Sequence, residues 1–243
     1  MEASLHPNLL SDKQNSKTAR LGASLFFFSL PLALWGEIYV PSKIFVPQDP
    51  VATTNNVLSN EFIFRTAIVC HLASTIFFVL MMMIFYRLFR PIDKHMTRLM
   101  IAPVLFLIPI VFILEIFNYT ALMFLKNEVR LTFDVARQQE VAYFLLRMNR
   151  YGIGPTKFFF GLSFIPFGVL VLRSGFAQRI IGILVIIAGA GYVADSCSYI
   201  LLERSDYLML GSFLRSTFLG FMLALLWFLI KGVKNNINAV SKV

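Results

Sequence analysis

Apolar runs of bilayer length constrain this chain more than any other feature. A hydrocarbon core of about 30 Å needs roughly 20 helical residues at about 1.5 Å each. Six such runs are read at about residues 21–40, 62–86, 100–125, 155–172, 180–202 and 208–230. Inside a membrane the backbone must satisfy its own hydrogen bonds, so the runs predict helices. The expected fold class is all-α, a polytopic transmembrane helical bundle of six spans with both termini cytoplasmic. Residues 1–19 are expected as a disordered cytoplasmic tail, 20–230 as the membrane domain, and 231–243 as a second cytoplasmic tail.

Composition agrees. Hydrophobic residues make up 58% of the chain and charged residues 14%, against roughly 25% charged in soluble domains. The net charge of +9 sits on no soluble basic patch, so the expected partner is the lipid bilayer, with no nucleic acid. The two cysteines, Cys70 and Cys197, lie inside expected spans and form neither a zinc spacing nor a disulfide framework. Lys13, Lys17 and Arg20 before an apolar stretch resemble a signal-peptide layout, but the run continues to Val40 and favours a retained first span.

Basic residues set the orientation. Arg87, Arg90, Lys94 and Arg98 crowd one short loop, and Arg173 and Arg179 bracket a Ser-Gly turn. With the two ends of the chain, these place one face of the bundle in the cytoplasm. Residues 51–60 suggest a short surface helix. The hydrophilic segment 126–150 carries Val135, Val141, Phe144, Leu145 and Met148 at helical spacing, which suggests an amphipathic helix on the membrane surface or over the bundle.

Ionisable groups within spans are costly, about 2.5–3.5 kcal/mol each on insertion scales, and each requires a reason. Counting by helical rise places Glu37, Arg65, His71, Glu115, Lys157, Asp195 and Arg215 at or outside the midplane. Residues at i, i+3 and i+4 share a helix face. Glu115 with Asn118 and Tyr119 fits that rule, as do Asp195 with Ser198 and Tyr199, His71 with Ser74 and Thr75, and Arg215 with Ser212 and Ser216. Four polar stripes at similar depth suggest a shared outer-half pocket for a small polar or charged ligand. Its candidate residues are Glu37, Arg65, His71, Glu115, Asn118, Tyr119, Asp195, Tyr199 and Arg215. Two other readings stay open. Glu115 or Asp195 can serve an intramembrane enzyme as general acid or base, or the charges can simply pair and pack the bundle, Arg65 with Glu61 for example.

No cofactor and no metal are expected. A single intraspan histidine excludes a bis-His haem. Cys70 with His71, or Asp195 with Cys197, diverge on a helix and do not converge on one zinc. The H-E-x-x-H and G-x-S-x-G motifs are absent. Small residues at Ala190, Gly191, Ala194 and Ser198, and at Gly161 and Gly168, point to close helix packing.

Three stretches carry a family resemblance: G-E-I-Y-V-P-S-K-I-F-V-P (36–47) with N-E-F-I-F-R (60–65), Y-G-I-G…F-F-F-G-L (151–162), and R-S-G-F-A-Q-R-I-I-G…A-G-A-G-Y-V-A-D-S (173–196). The chain resembles a family of bacterial polytopic membrane proteins known only as a domain of unknown function. The resemblance implies a six-helix bacterial inner-membrane protein and no assigned activity. Such proteins are expected to carry a more acidic or apolar pair where this chain has Cys70-His71.

Overall fold

A computed structural model of the chain describes residues 12–128, 134–203, 207, 211, 214 and 216–233. Among these the structure is all helical. The elements are α1 (Asp12–Ala33), a π-helical segment (Leu34–Tyr39), α2 (Val40–Ile44), α3 (Pro50–Ser59), α4 (Glu61–Phe89), α5 (Lys94–Leu125), α6 (Val135–Ser174), α7 (Arg179–Leu201) and α8 (Phe218–Ile230). Five helical stretches are long and apolar enough to cross a membrane: Gln14–Ile44, Glu61–Phe89, Lys94–Leu125, Val135–Ser174 and Arg179–Leu201. The sixth expected run, 208–230, falls partly outside the described residues, and its helix Phe218–Ile230 is shorter.

Two boundaries differ from expectation. The stretch expected as a disordered tail is helical from Asp12 onward, because residues 12–20 continue the helix of the first apolar run and dock by hydrogen bonds. The amphipathic segment and the fourth apolar run form one 40-residue helix. Pro155, the expected start of the fourth span, lies inside this helix. A helical proline lacks one N–H, which a neighbouring element can offset.

The chain divides into two compact units. The first comprises Met1–Phe27, Phe78–Phe106 and Lys157–Val243. Its core is phenylalanine on phenylalanine. Phe85, Phe89, Phe164, Phe167, Phe221 and Phe228 are fully buried. Phe164 stacks on Phe221 at 3.9 Å between centroids, and Phe85 meets Phe167 edge-on at 5.0 Å. Glycines let backbones close in. A Cβ on Gly161 would lie 2.6 Å from the Gly189 carbonyl, and one on Gly168 would lie 2.7 Å from the Gly182 carbonyl. α6 and α7 therefore meet antiparallel along two glycine pairs spaced seven residues apart. Gly175, at φ +66, turns the chain between them. Asp93 caps α5 by accepting from the backbone N–H groups of His95 (3.0 Å) and Met96 (2.9 Å), and it pairs with Arg173 at the end of α6.

In the same unit, the start of α1 is tied to the end of α8. Val233 N–H donates to Ser16 Oγ at 3.1 Å, and Arg20 donates to the Ile230 carbonyl at 3.2 Å.

The second unit comprises Phe28–Phe77 and Leu107–Thr156. Its core joins Val40, Ile44, Val57, Phe64, Ile68, Leu122 and Leu146. α3, the short helix expected over 51–60, is capped by Asp49, which accepts from Ala52 N–H at 2.8 Å. Thr53 is fully buried and exchanges hydrogen bonds with both backbone groups of Val46.

Large apolar side chains face outward on the span helices. Phe62 is 78% exposed and Leu201 79%. On helices built for a bilayer such residues meet lipid tails rather than water.

Candidate polar site in the second unit

The π-helical segment sets the geometry. Its wider turn falls three residues after Pro31, and it carries Trp35, Gly36 and Glu37. A Cβ on Gly36 would lie 2.8 Å from the Ala67 carbonyl and 2.9 Å from His71 N. Only glycine allows the segment to lie this close to α4. The close approach delivers the next residue, Glu37, to the imidazole of His71. π-turns inside α-helices recur at functional sites.

His71 is buried and held from both sides. Its Nε2 lies 3.3 Å from Glu37 Oε1, and its Nδ1 lies 2.6 Å from Glu115 Oε1 on α5. The side chain of Glu37 is 38% exposed, whereas those of His71 and Glu115 are 7% and 5% exposed. The three groups thus form a row running inward from the surface of the unit. Asn118 donates to Glu115 Oε2 at 2.9 Å. Asn149 on α6 donates to Glu115 Oε1 at 3.3 Å and to the Leu114 carbonyl at 2.8 Å. Gly152, one turn further along α6, meets the Leu114 side chain, which brings the two helices close enough for these bonds.

The buried carboxylate of Glu115 therefore has partners on three helices. Two carboxylates against one imidazole leave an excess of one negative charge even when the imidazole is protonated. Glu37 keeps part of that excess at the surface of the unit, whereas the buried charge of Glu115 is costly unless the imidazole, a proton or a cation offsets it.

The other candidate residues divide. Arg65 bonds Glu61 at 2.8 Å and lies 6.0 Å from the Tyr119 ring centroid. Tyr119 is exposed, so the stripe of Glu115, Asn118 and Tyr119 splits, with its first two members turned inward. The hydroxyls of Ser74 and Thr75 are spent locally on the His71 carbonyl, at 2.8 and 3.0 Å.

Asp195 and Tyr199 belong to the first unit. Asp195 is fully buried and accepts from Lys157 at 2.6 Å, and its Oδ1 has no hydrogen-bond partner among the described residues. Tyr199 packs edge-on against Tyr207. Arg215 lies outside the described residues. Cys70 and Cys197 are free thiols.

Sequence reasoning missed Asn149, because segment 126–150 reads as an amphipathic helix on the membrane surface or over the bundle and not as part of a span. The signal was present. Ala142, Leu146 and Asn149 follow i, i+4, i+7 spacing, and all three are buried.

Residues 21–232 match the family described as Domain of unknown function (DUF4386). The chain belongs to that family. No curated protein and no solved structure matches it. With its long apolar helices, this family member is a multi-pass membrane protein.

Proposed function

We propose that this family member binds or transports a small polar or charged ligand at the cluster of Glu37, His71, Glu115, Asn118 and Asn149, with cationic ligands preferred. The observation that carries the reading is the imidazole of His71 held between two carboxylates, which leaves the cluster short of positive charge. A structural role alone is served by an ion pair with matched charge, as Lys157 with Asp195 supplies. The π-turn and the glycine contact at Gly36 add a locally specialised backbone at the same place.

The cellular setting in this reading is a bacterial inner membrane, crossed six times with both termini in the cytoplasm. Two contacts support the topology. The start of α1 bonds the residues that follow α8, so those two ends of the helical array share a side. The loop before α5 meets the end of α6 through Asp93 and Arg173, and both segments are rich in arginine. Reporter fusions after residues 92, 130 and 175 should read cytoplasmic, external and cytoplasmic, and any other order overturns the topology.

The binding reading is tested with purified protein in lipid nanodiscs. Thermal shifts are measured against alkali cations, small primary amines, amino acids and small carboxylates. A cation or amine should raise Tm, and Glu115→Gln should remove that rise while the protein stays folded. If nothing in the panel shifts Tm, and replacing Glu37, His71 and Glu115 together by apolar residues preserves stability, the cluster only packs the bundle.

A further inference from the structure

Building on the binding site just described, we propose that Glu37, His71 and Glu115 form a proton-transfer row, and that a proton and the ligand occupy its inner end in exchange. The two nitrogens of one imidazole face two different carboxylates, one 38% exposed and one 5% exposed. An imidazole is the one side chain that can accept a proton at one atom and release another from a second atom near neutral pH.

The transfer starts from neutral His71 in the tautomer that carries its proton on Nδ1, facing the Glu115 carboxylate. Glu37, protonated from outside, gives its proton to Nε2, so an O–H bond breaks and an N–H bond forms. The imidazolium then releases the Nδ1 proton to Glu115 Oε1. One proton has moved from Glu37 to Glu115, and His71 is neutral again with its proton on Nε2. Protonated Glu115 has lost its charge, and with it the attraction for a cation. A bound cation in turn favours ionised Glu115 and expels the proton.

Among the described residues, the groups that bond Glu115 from α5 and α6 are neutral. From α5, Asn118 offers Glu115 a neutral amide, and from α6, Asn149 offers another. On α4, Arg65 is held by Glu61, which also binds Lys126. The π-helical segment contributes Glu37 alone among its ionised side chains.

The test follows the carboxyl C=O infrared band of the protein in nanodiscs after a rapid drop in pH. Wild type should show a band from protonated Glu115 that Glu115→Gln removes and Glu115→Asp restores at a shifted frequency. His71→Asn should slow the appearance of that band by about 10²-fold or more, the scale on which a positioned acid–base group acts. Glu37→Gln, at the exposed end where folding is least at risk, should slow it without changing its final amplitude. Unchanged kinetics in both His71→Asn and Glu37→Gln overturn the transfer row, as does a band that survives Glu115→Gln.

The ligand panel separates this inference from the reading it rests on. A cation-induced Tm rise that is independent of pH, with no change in the band, keeps the binding site and removes the proton exchange. Proton uptake through the row with no ligand response keeps the row and removes the binding site.

Discussion

Lys157 and Asp195 show how one residue's partner decides its meaning. Asp195 is fully buried, and its Oδ2 accepts from Lys157 at 2.6 Å. Removing the cation leaves a buried carboxylate without its described partner, which typically costs about 3–5 kcal/mol. Lys157 is partly exposed, so Lys157→Met should cost about 3 kcal/mol, the lower end of that range. The double variant Lys157→Met with Asp195→Leu removes both charges and should return to within about 1 kcal/mol of wild type. Unfolding midpoints in detergent check both, and a double variant as weak as the single one would give Asp195 a role beyond pairing. His71 differs, because it answers two carboxylates and no single replacement balances the group.

At the level of elements, α6 and α7 pack through glycine rather than through side-chain interdigitation. Gly161 faces Gly189 and Gly168 faces Gly182, and each carbonyl stands where the opposing Cβ would fall. Backbone cannot yield as a flexible side chain can. Gly168→Ala should therefore destabilise the hairpin by about 1–3 kcal/mol, as overpacking does, and Gly182→Ala should not relieve it. Thermal unfolding of the two single variants and the pair measures this. The small-residue positions at 161 and 168 announced close packing in the sequence, but their partners at 182 and 189 did not stand out among so many apolar residues. The same helix hid Asn149. A 40-residue helix with a proline inside it reads as two elements, so a buried polar residue near the expected junction is not counted among the polar groups of a span.

For the whole molecule, the junction of Asp93 and Arg173 links the loop before α5 to the end of α6. The backbone N–H of Met96 and then Arg173 and the N–H of His95 hold the Asp93 carboxyl below the usual carboxylate range. A carboxylate whose folded pKa is lowered adds stability above its unfolded value of about 3.9 and loses it as pH falls through the lower folded value. Wild type should therefore exceed Asp93→Asn in Tm by a constant margin at neutral pH, and the margin should shrink below about pH 4. A margin that persists in acid would place the stabilisation elsewhere. At the opposite charge sign, Lys126 is held above its ordinary value by its hydrogen bond to Glu61, so its contribution is present below the ordinary lysine value and is lost as pH rises through the raised one.

The sequence by itself determined the class of molecule, because long apolar runs admit only helices in a bilayer. It also determined the family and the list of costly polar groups, since composition and local order suffice for these. Glu37, His71, Glu115 and Asn118 were all legible as polar residues within spans. Which of them meet was decided only by tertiary structure. Helical spacing places residues on a face but says nothing of how that face is rotated toward its neighbours. The π-turn after Pro31 and the missing Cβ of Gly36 set that rotation for Glu37. The contact of Gly152 with Leu114 did the same for Asn149. Arg65 and Tyr119, on equally plausible faces, turned to each other and to Glu61. These are close approaches between segments far apart in the chain, and no local pattern encodes them.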